Sequence, residues 1–189
     1  MSTNVSNFAE MRLAMINSQL RPNSVDGPRL LKAIDSVPRE DFVPADRRNS
    51  AYADVMIPLD DGRAMNMPLV TARLIAQLDL RGTERVLIAG DATGYAAAIV
   101  MQLAAEVATG DQAGDDYDAL LIDGAVIEVP GALVEKLRDG ARVAAGLLDG
   151  RVTRLAQGVK RAGSVRLVAF GDAEIAVLPD AVPAPVFSF

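Results

Sequence analysis

Residues 85–111 read RVLIAGDATGYAAAIVMQLAAEVATGD, and this stretch decides the fold. Val86–Ala89 is an apolar run of strand length, and the small, flexible loop 90–94, GDATG, follows it. Tyr95–Ala105 is apolar at helical spacing, and Glu106–Asp111 predicts a short second strand that ends in an acid. A strand, a glycine loop and a helix in this order are typical of an α/β fold with a nucleotide-type cleft at the loop.

The spacing of the glycines indicates which kind of cofactor the loop could hold. Gly90 and Gly94 form Gly-x-x-x-Gly and lack the middle glycine of dinucleotide-binding loops, which lets the backbone approach a pyrophosphate. S-adenosylmethionine has no pyrophosphate and needs only backbone room beside its methionine moiety and an acid for its ribose. Asp111 stands 21 positions after Gly90, at the spacing of a ribose-binding acid. The alternative is a tight strand-to-helix turn that binds no ligand.

Two further aspartates lie where a ligand could meet them. Asp91 either contacts a ligand or caps the next helix, and we favour the cap because aspartate is a preferred N-cap residue. Asp123 follows the predicted strand Ala119–Ile122 at the edge where ligands bind such sheets, although Asp-Gly is also a common turn pair. The predicted cofactor-binding residues are therefore Gly90, Asp91, Gly94, Asp111 and Asp123.

The composition excludes several classes of function. The chain has no histidine and no cysteine among its 189 residues, so thiolate nucleophiles, Ser-His-Asp triads and zinc sites of histidine or cysteine are excluded. We expect no metal site. The net charge is −6, and an acidic chain is a poor candidate for gripping the phosphate backbone of a nucleic acid.

Length and apolar content predict one domain over residues 1–189, since 50% apolar residues suffice for a real core. This domain divides into a helical N-terminal region, 1–80, and an α/β core, 81–189. The N-terminus is polar and contains Glu10, unlike a signal peptide, and no apolar run reaches membrane-spanning length. Together with the lack of cysteine, these features predict a cytoplasmic protein without membrane contact.

The rest of the chain alternates predicted helices and strands, as in an α/β sheet preceded by helices. We predict helices over residues 7–20, 26–36, 44–53 and 130–138, and a helix that begins at Pro68. We predict strands over residues 119–122 and 143–148, and a hairpin of 152–159 with 165–170. Residues 57–68, IPLDDGRAMNMP, are expected to form a loop.

Several motifs resemble one known family, and the likeness spans most of the chain. Residues 37–44, VPREDFVP, match the VPRExFVP stretch of protein-L-isoaspartate O-methyltransferases, and residues 51–54, AYAD, match their AYxD. Residues 86–95 stand for their VLEIGTGSGY. We expect Arg39 and Glu40 of the first stretch to form a structural ion pair. The resemblance implies a Rossmann-like methyltransferase sheet with a helical N-terminal extension, which transfers methyl from S-adenosylmethionine to isoaspartyl carboxylates in damaged proteins.

The chain departs from the family pattern at three places. The family's TISQP loop, whose serine helps to position the substrate, is Ala64–Pro68 here, which makes Asn66 the candidate catalytic residue. Ile88 stands where the family's first motif has an acid. Only residues 112–116 separate Asp111 from the next predicted strand, so the chain lacks one βα segment, which in the family covers the adenine.

These departures leave alternatives open. The chain could be a non-catalytic relative that acts as a scaffold or binding module and has lost its cofactor site. Gly110-Asp111 could be a later Gly-Asp turn of the family rather than the ribose-binding site, although the count from Gly94 favours the ribose. A missing strand would also expose Val107–Thr109 or Val86–Ala89 at a new sheet edge. We expect another segment, or a second copy in a homodimer, to cover that edge.

Overall fold

The computed structural model describes residues 3–110 and 114–179, with side chains from residue 7 onward. Its α-helices are α1 (Thr3–Met15), α2 (Pro28–Ser36), α3 (Pro68–Gln77), α4 (Tyr95–Val100) and α5 (Gly131–Glu135). A π-helical turn (Ile16–Leu20) and 3₁₀ turns (Arg21–Asn23, Arg39–Asp41, Ala45–Ser50) complete the N-terminal region. The strands are β1 (Ile57–Pro58), β2 (Ala64–Met65), β3 (Arg85–Ala89), β4 (Glu106–Thr109), β5 (Tyr117–Val126), β6 (Leu137–Asp149), β7 (Val152–Arg161), β8 (Ser164–Val165) and β9 (Val168–Asp172). None of the helices described is long and apolar enough to cross a bilayer.

One mixed sheet organises the molecule. Its strands lie in the order β4-β3-β5-β6-β7, and both β8 and β9 pair with β7. The first four are parallel to one another, whereas β7, β8 and β9 join in antiparallel fashion. The predicted α/β sheet with helices before it is therefore confirmed.

Both faces of the sheet are buried, which explains why its central strands are apolar without alternation. Val86 and Ile88 of β3 face the cluster that contains the N-terminal helices, α3 and α4. Leu87, between them, faces a second cluster with Leu120 and Val134. The alternation of side chains along a strand thus places β3 between two helical layers, with its carboxyl end free to meet a ligand.

The link between β4 and β5 is unusually short. β4 and β5 both run parallel to β3, one on each side of it, and only residues 110–116 join them. Parallel strands usually need a crossover of a dozen or more residues, most often a helix. β4 pairs only with β3 among the described residues, so it forms the edge of the sheet, as the shortened sequence predicts.

Several element bounds differ from the sequence-based predictions, beginning with the first helix, which is predicted over 7–20 and whose α-helical part is Thr3–Met15. Helix α4 ends at Val100 rather than Ala105, and α5 ends at Glu135 because Leu137 already pairs with Tyr117 in the sheet. Strand β6 accordingly begins at Leu137, whereas the predicted strand begins at residue 143. Strand β5 continues to Val126, past Asp123. The segment 57–68 is no plain loop, because β1 and β2 pair within it.

Candidate functional site

The glycine loop between β3 and α4 is held by its own aspartate. Gly90 and Gly94 have φ angles of +73° and +84°, in the left-handed region that glycine adopts without strain. Asp91 Oδ1 accepts a hydrogen bond from the Gly94 N–H at 2.9 Å, and Oδ2 accepts one from Ala97 N–H at 2.8 Å. Gly94 is the N-cap residue of α4, so Asp91 is not itself the N-cap, but its carboxylate bonds to the first turn of α4 from within the loop and orders the start of that helix.

A cleft of about 760 Å³ opens beside this loop. It lies at the carboxyl ends of β3 and β4, with α5 on its far side. Its lining is made mainly of small or apolar residues: Ile88, Ala89, Gly90, Asp91, Gly94, Ala97, Met101, Thr109, Gly110, Ala132, Leu133 and Lys136. A cleft of this size suits a small-molecule cofactor.

Asp123 lies outside this lining, in a buried polar cluster. It sits where the β5–β6 ladder is irregular, between Ile122 and Ala125, and only 7% of it is exposed. Its carboxylate accepts hydrogen bonds from Thr71 Oγ1 and Asn66 Nδ2, both at 3.0 Å. Burial raises the pKa of Asp123 to about 6, and the charge of Asp91 contributes to the rise.

Asn66 is the centre of that cluster. It is 1% exposed, and its Nδ2 donates to both the backbone oxygen of Asp123, at 3.1 Å, and the carboxylate. Its Oδ1 accepts a hydrogen bond from the Ala176 N–H at 2.8 Å. Both ends of the amide are therefore engaged within the protein.

Arg39 bonds to the backbone of Asn66, and the sequence analysis did not identify it as a site residue. Its guanidinium is fully buried and donates to the backbone carbonyls of Ala51, at 2.7 Å, and of Asn66. It also stacks over the Tyr95 ring, 4.7 Å from the centroid, immediately after the glycine loop. The expected ion pair with Glu40 is wrong.

Glu40 has other partners. Its carboxylate accepts a hydrogen bond from the Tyr52 hydroxyl and lies 3.8 Å from Arg12. Arg39 instead pairs with carbonyls because its side chain points into the interior, where the polar groups of two loops need donors.

Comparison with known proteins gives the family. The family model described as protein-L-isoaspartate(D-aspartate) O-methyltransferase matches residues 11–113, more than half of the chain. A protein-L-isoaspartate O-methyltransferase of Koribacter versatilis is 30% identical over 174 residues, covering 75% of this chain and 78% of the relative. The chain belongs to the protein-L-isoaspartate O-methyltransferase family.

Other family members match less of the chain or at lower identity. Protein-L-isoaspartate O-methyltransferase 2 of Marinobacter nauticus is 39% identical, but the match covers 57% of this chain and only 49% of that relative. A crystal structure from Plasmodium falciparum, of a putative family member in complex with S-adenosyl-L-homocysteine, superposes with a TM-score of 0.72. It covers 92% of this chain and 98% of that one at 13% identity, and so supports the fold.

Within the family fold, the predicted site residues fall into two groups. Gly90, Asp91 and Gly94 line the cleft, whereas Asn66 and Asp123 lie together in the buried cluster. Asp111 lies outside the described residues, directly after Gly110 at the rim of the cleft. Strand β4 does lie beside β3, where the interpretation of Asp111 as a ribose-binding acid requires it.

Thr71 and Arg39 are the functional candidates that sequence reasoning missed. Thr71 carries a signal, because it is a polar residue within the apolar stripe of α3 and is 1% exposed. A polar side chain on a buried helix face needs a partner, and the only candidates are other buried polar groups. Arg39 gives no such local signal, since its partners are carbonyls 12 and 27 residues away.

Proposed function

We propose that this chain binds S-adenosylmethionine in the cleft at the glycine loop and methylates isoaspartyl carboxylates in damaged proteins. The observation that carries the proposal is the 760 Å³ cleft at Gly90–Gly94, at the carboxyl edge of a parallel sheet in a member of this family. Ligands of open α/β sheets bind at that edge. The same cleft supports Gly90 and Gly94 as cofactor-binding residues and Asp91 as the residue that shapes their loop, whereas Asp111 is proposed from its position in the sequence directly after Gly110.

The residues of the cleft fit this cofactor. A side chain built at Gly94 would meet no atom within 4 Å, so the backbone there faces open space. Ala89 and Ala97 keep the neighbouring wall small. Because the Asp91 carboxylate is bonded to backbone N–H groups, it contributes by shaping the loop rather than by binding directly.

The chemistry asks little of titrating side chains. S-adenosylmethionine supplies an electrophilic methyl group on a sulfonium, and a carboxylate is already a nucleophile at neutral pH. The chain's own residues need only to orient the acceptor and exclude water, so the absence of histidine is compatible with the reaction. Asn66 is the proposed positioning group for the acceptor, and Asp123 the acid that holds its amide.

Calorimetric titration with S-adenosylhomocysteine tests the proposal first, followed by methyl transfer to an isoaspartyl peptide. Ala132→Phe places an aromatic ring in the cleft from α5. It should abolish both the heat of S-adenosylhomocysteine binding and methyl transfer to the peptide. Glu135→Phe adds the same ring on the same helix, outside the residues that line the cleft, and should leave both unchanged. Wild-type protein that gives no heat at millimolar ligand would contradict the proposal.

The buried cluster favours a second candidate function. Because both ends of the Asn66 amide are engaged and Asp123 is buried, a non-catalytic relative that serves as a scaffold or binding module would also have this geometry. The titration separates the two, since a scaffold that has lost its cofactor site gives neither binding nor thermal stabilisation.

We also propose a homodimer through the β4 edge, in a cytoplasmic protein. Among the described residues β4 pairs only with β3, so its other side offers unpaired backbone groups. The lack of cysteine supports a reducing compartment, and the charge of −6 supports a protein rather than a nucleic acid as partner. Light scattering should give twice the monomer mass, and Val107→Lys should restore the monomer. A wild-type monomer would refute the dimer.

A further inference from the structure

The segment Ile175–Leu178 crosses the carboxyl end of β5 after β9 has ended. The Ala125 N–H donates to the Ala176 carbonyl at 2.8 Å, and the Leu178 N–H donates to the Ala125 carbonyl at 3.1 Å. Val177 therefore pairs with Ala125 in parallel fashion. Ile175 anchors the segment, because it is 3% exposed in the core and its N–H donates to Thr153 Oγ1 at 3.0 Å. Beyond it, Ala176–Leu178 is held to β5 by these two backbone bonds and a single bridge, which makes this end the displaceable part.

The same segment occupies the free end of Asn66. The Ala176 N–H donates to Asn66 Oδ1 at 2.8 Å, while Asn66 Nδ2 is engaged with Asp123. Asn66 Oδ1 is thus the one polar atom of the cluster that bonds to a displaceable element. A peptide N–H from another chain would satisfy it equally well.

Leu178 lies against the backbone at Gly90 and at Gly124. A Cβ added to Gly90 would lie 2.9 Å from Leu178 Cδ1, and one added to Gly124 would lie 2.6 Å from Leu178 Cγ. The leucine therefore rests directly on the backbone at the ends of two neighbouring strands. Gly90 lines the cleft, and Gly124 directly follows Asp123 of the buried cluster, so Leu178 lies against the backbone of both regions.

We propose that Ala176–Leu178, which follows the buried anchor Ile175, is a gate between the cofactor cleft and the Asn66–Asp123 cluster, and that an extended peptide displaces it. The occupant is a peptide because the gate makes the contacts of one: two backbone bonds to Ala125 and one N–H to Asn66. Extended peptides commonly bind by adding such a strand to a sheet. With the gate open, the acceptor reaches both Asn66 and the cleft. This inference rests on the proposed function for the identity of the acceptor, but not for the gate itself.

Leu178→Ala tests the gate without any cofactor. Hydrogen exchange of the Ala176 amide should become at least about tenfold faster, because the shortened side chain no longer holds the segment. Water should then reach Asp123, and its pKa, measured by carboxyl carbon NMR, should fall from about 6 toward its ordinary value. Val168→Ala, at a 59% exposed valine of β9, is the matched control and should change neither.

An isoaspartyl hexapeptide supplies the second arm. At saturation it should speed Ala176 exchange in the wild type, and Leu178→Ala should raise kcat/KM for the peptide about tenfold, mainly through KM. If the peptide is not methylated but the hydrogen exchange of the Ala176 amide still changes, the proposed function is refuted and the gate stands. Unchanged exchange and an unchanged Asp123 titration in Leu178→Ala would overturn the gate. Leu178→Val is a milder variant of the same residue. If Leu178→Ala and Leu178→Val both fail to fold, the gate proposal is also overturned, because opening a gate must leave the rest of the protein folded.

Discussion

Two regions at the carboxyl edge of the sheet differ in how their polar groups are used. In the buried cluster, Asn66 and Asp123 bond to each other and to neighbours, and water is excluded. In the cleft, backbone at Gly94 and Gly110 borders open space. We infer that, while Ala176–Leu178 is in place, the cluster contributes mainly to stability and the cleft mainly to cofactor binding. Substitutions should therefore separate into those that change unfolding and those that change ligand affinity.

The largest effect should follow from removing Arg39. Arg39→Met leaves the buried carbonyls of Ala51 and Asn66 without donors, which should lower the free energy of unfolding by roughly 3–4 kcal/mol. Urea unfolding measures the loss. Arg48→Met, at a half-exposed arginine whose ion pair with Asp41 spans 3.6 Å, is the control and should cost under about 1 kcal/mol. Equal losses in the two variants would refute the special role of the cluster.

Asp123 should make the cluster sensitive to pH. Its pKa is 3.8 in the unfolded chain and about 6 in the folded one, so the folded state binds more protons between pH 4 and 6. The contribution of the Asp123 carboxyl to the free energy of unfolding is therefore fully present below pH 4, and about 3 kcal/mol of it is lost as the pH rises through 6. Asp123→Asn should remove this slope, which urea unfolding at a series of pH values measures.

The control for the pH series is Asp60→Asn, at an exposed acid of the β1–β2 ribbon. It should keep the wild-type slope. A slope between pH 4 and 6 that persists unchanged in Asp123→Asn would mean that other groups dominate the titration.

These two predictions differ in how far sequence could lead to them. Asp123 and the glycine loop were predictable because an apolar run followed by Asp-Gly or Gly-x-x-x-Gly is a local pattern. Arg39 was not, since its partners are backbone carbonyls far along the chain and no residue type marks them. The gate was equally hidden, although Gly90 and Gly124 at two strand ends are the places where a neighbouring side chain approaches the backbone.

The bounds of the helices and strands also divide into those set by local sequence patterns and those set by contacts far along the chain. Helix α3 begins at Pro68 as predicted, because proline favours the first turn of a helix and an apolar stripe follows it. Helix α5 is shorter than predicted because Leu137 is drawn into pairing with Tyr117, which is a long-range contact. Local signals therefore point to the glycine loop and to Asp123, whereas tertiary contacts decide which groups the side chains of the cluster bond to.

Asp91 should give an effect of intermediate size, in the loop between the two regions. Asp91→Ala removes the acceptor of the Gly94 and Ala97 N–H groups, and loss of such capping hydrogen bonds costs about 1–2 kcal/mol. Because the loop also shapes the cleft, affinity for S-adenosylhomocysteine should fall as well. Asp91→Asn keeps one acceptor and should recover part of both losses. A stability loss without an affinity loss would place the cofactor away from this loop.

The smallest effect on stability should come from the rim of the cleft. Met101 lines the cleft yet is 58% exposed, so Met101→Ser should change the free energy of unfolding by less than about 0.5 kcal/mol. The same substitution removes apolar contact from a bound ligand and should weaken S-adenosylhomocysteine several-fold in calorimetry. Leu13→Ser, at a 54% exposed leucine of α1, is the control and should leave both quantities unchanged. A Met101 variant that is destabilised but binds normally would reverse the division between cluster and cleft, because an exposed side chain would then contribute to the fold and not to the ligand.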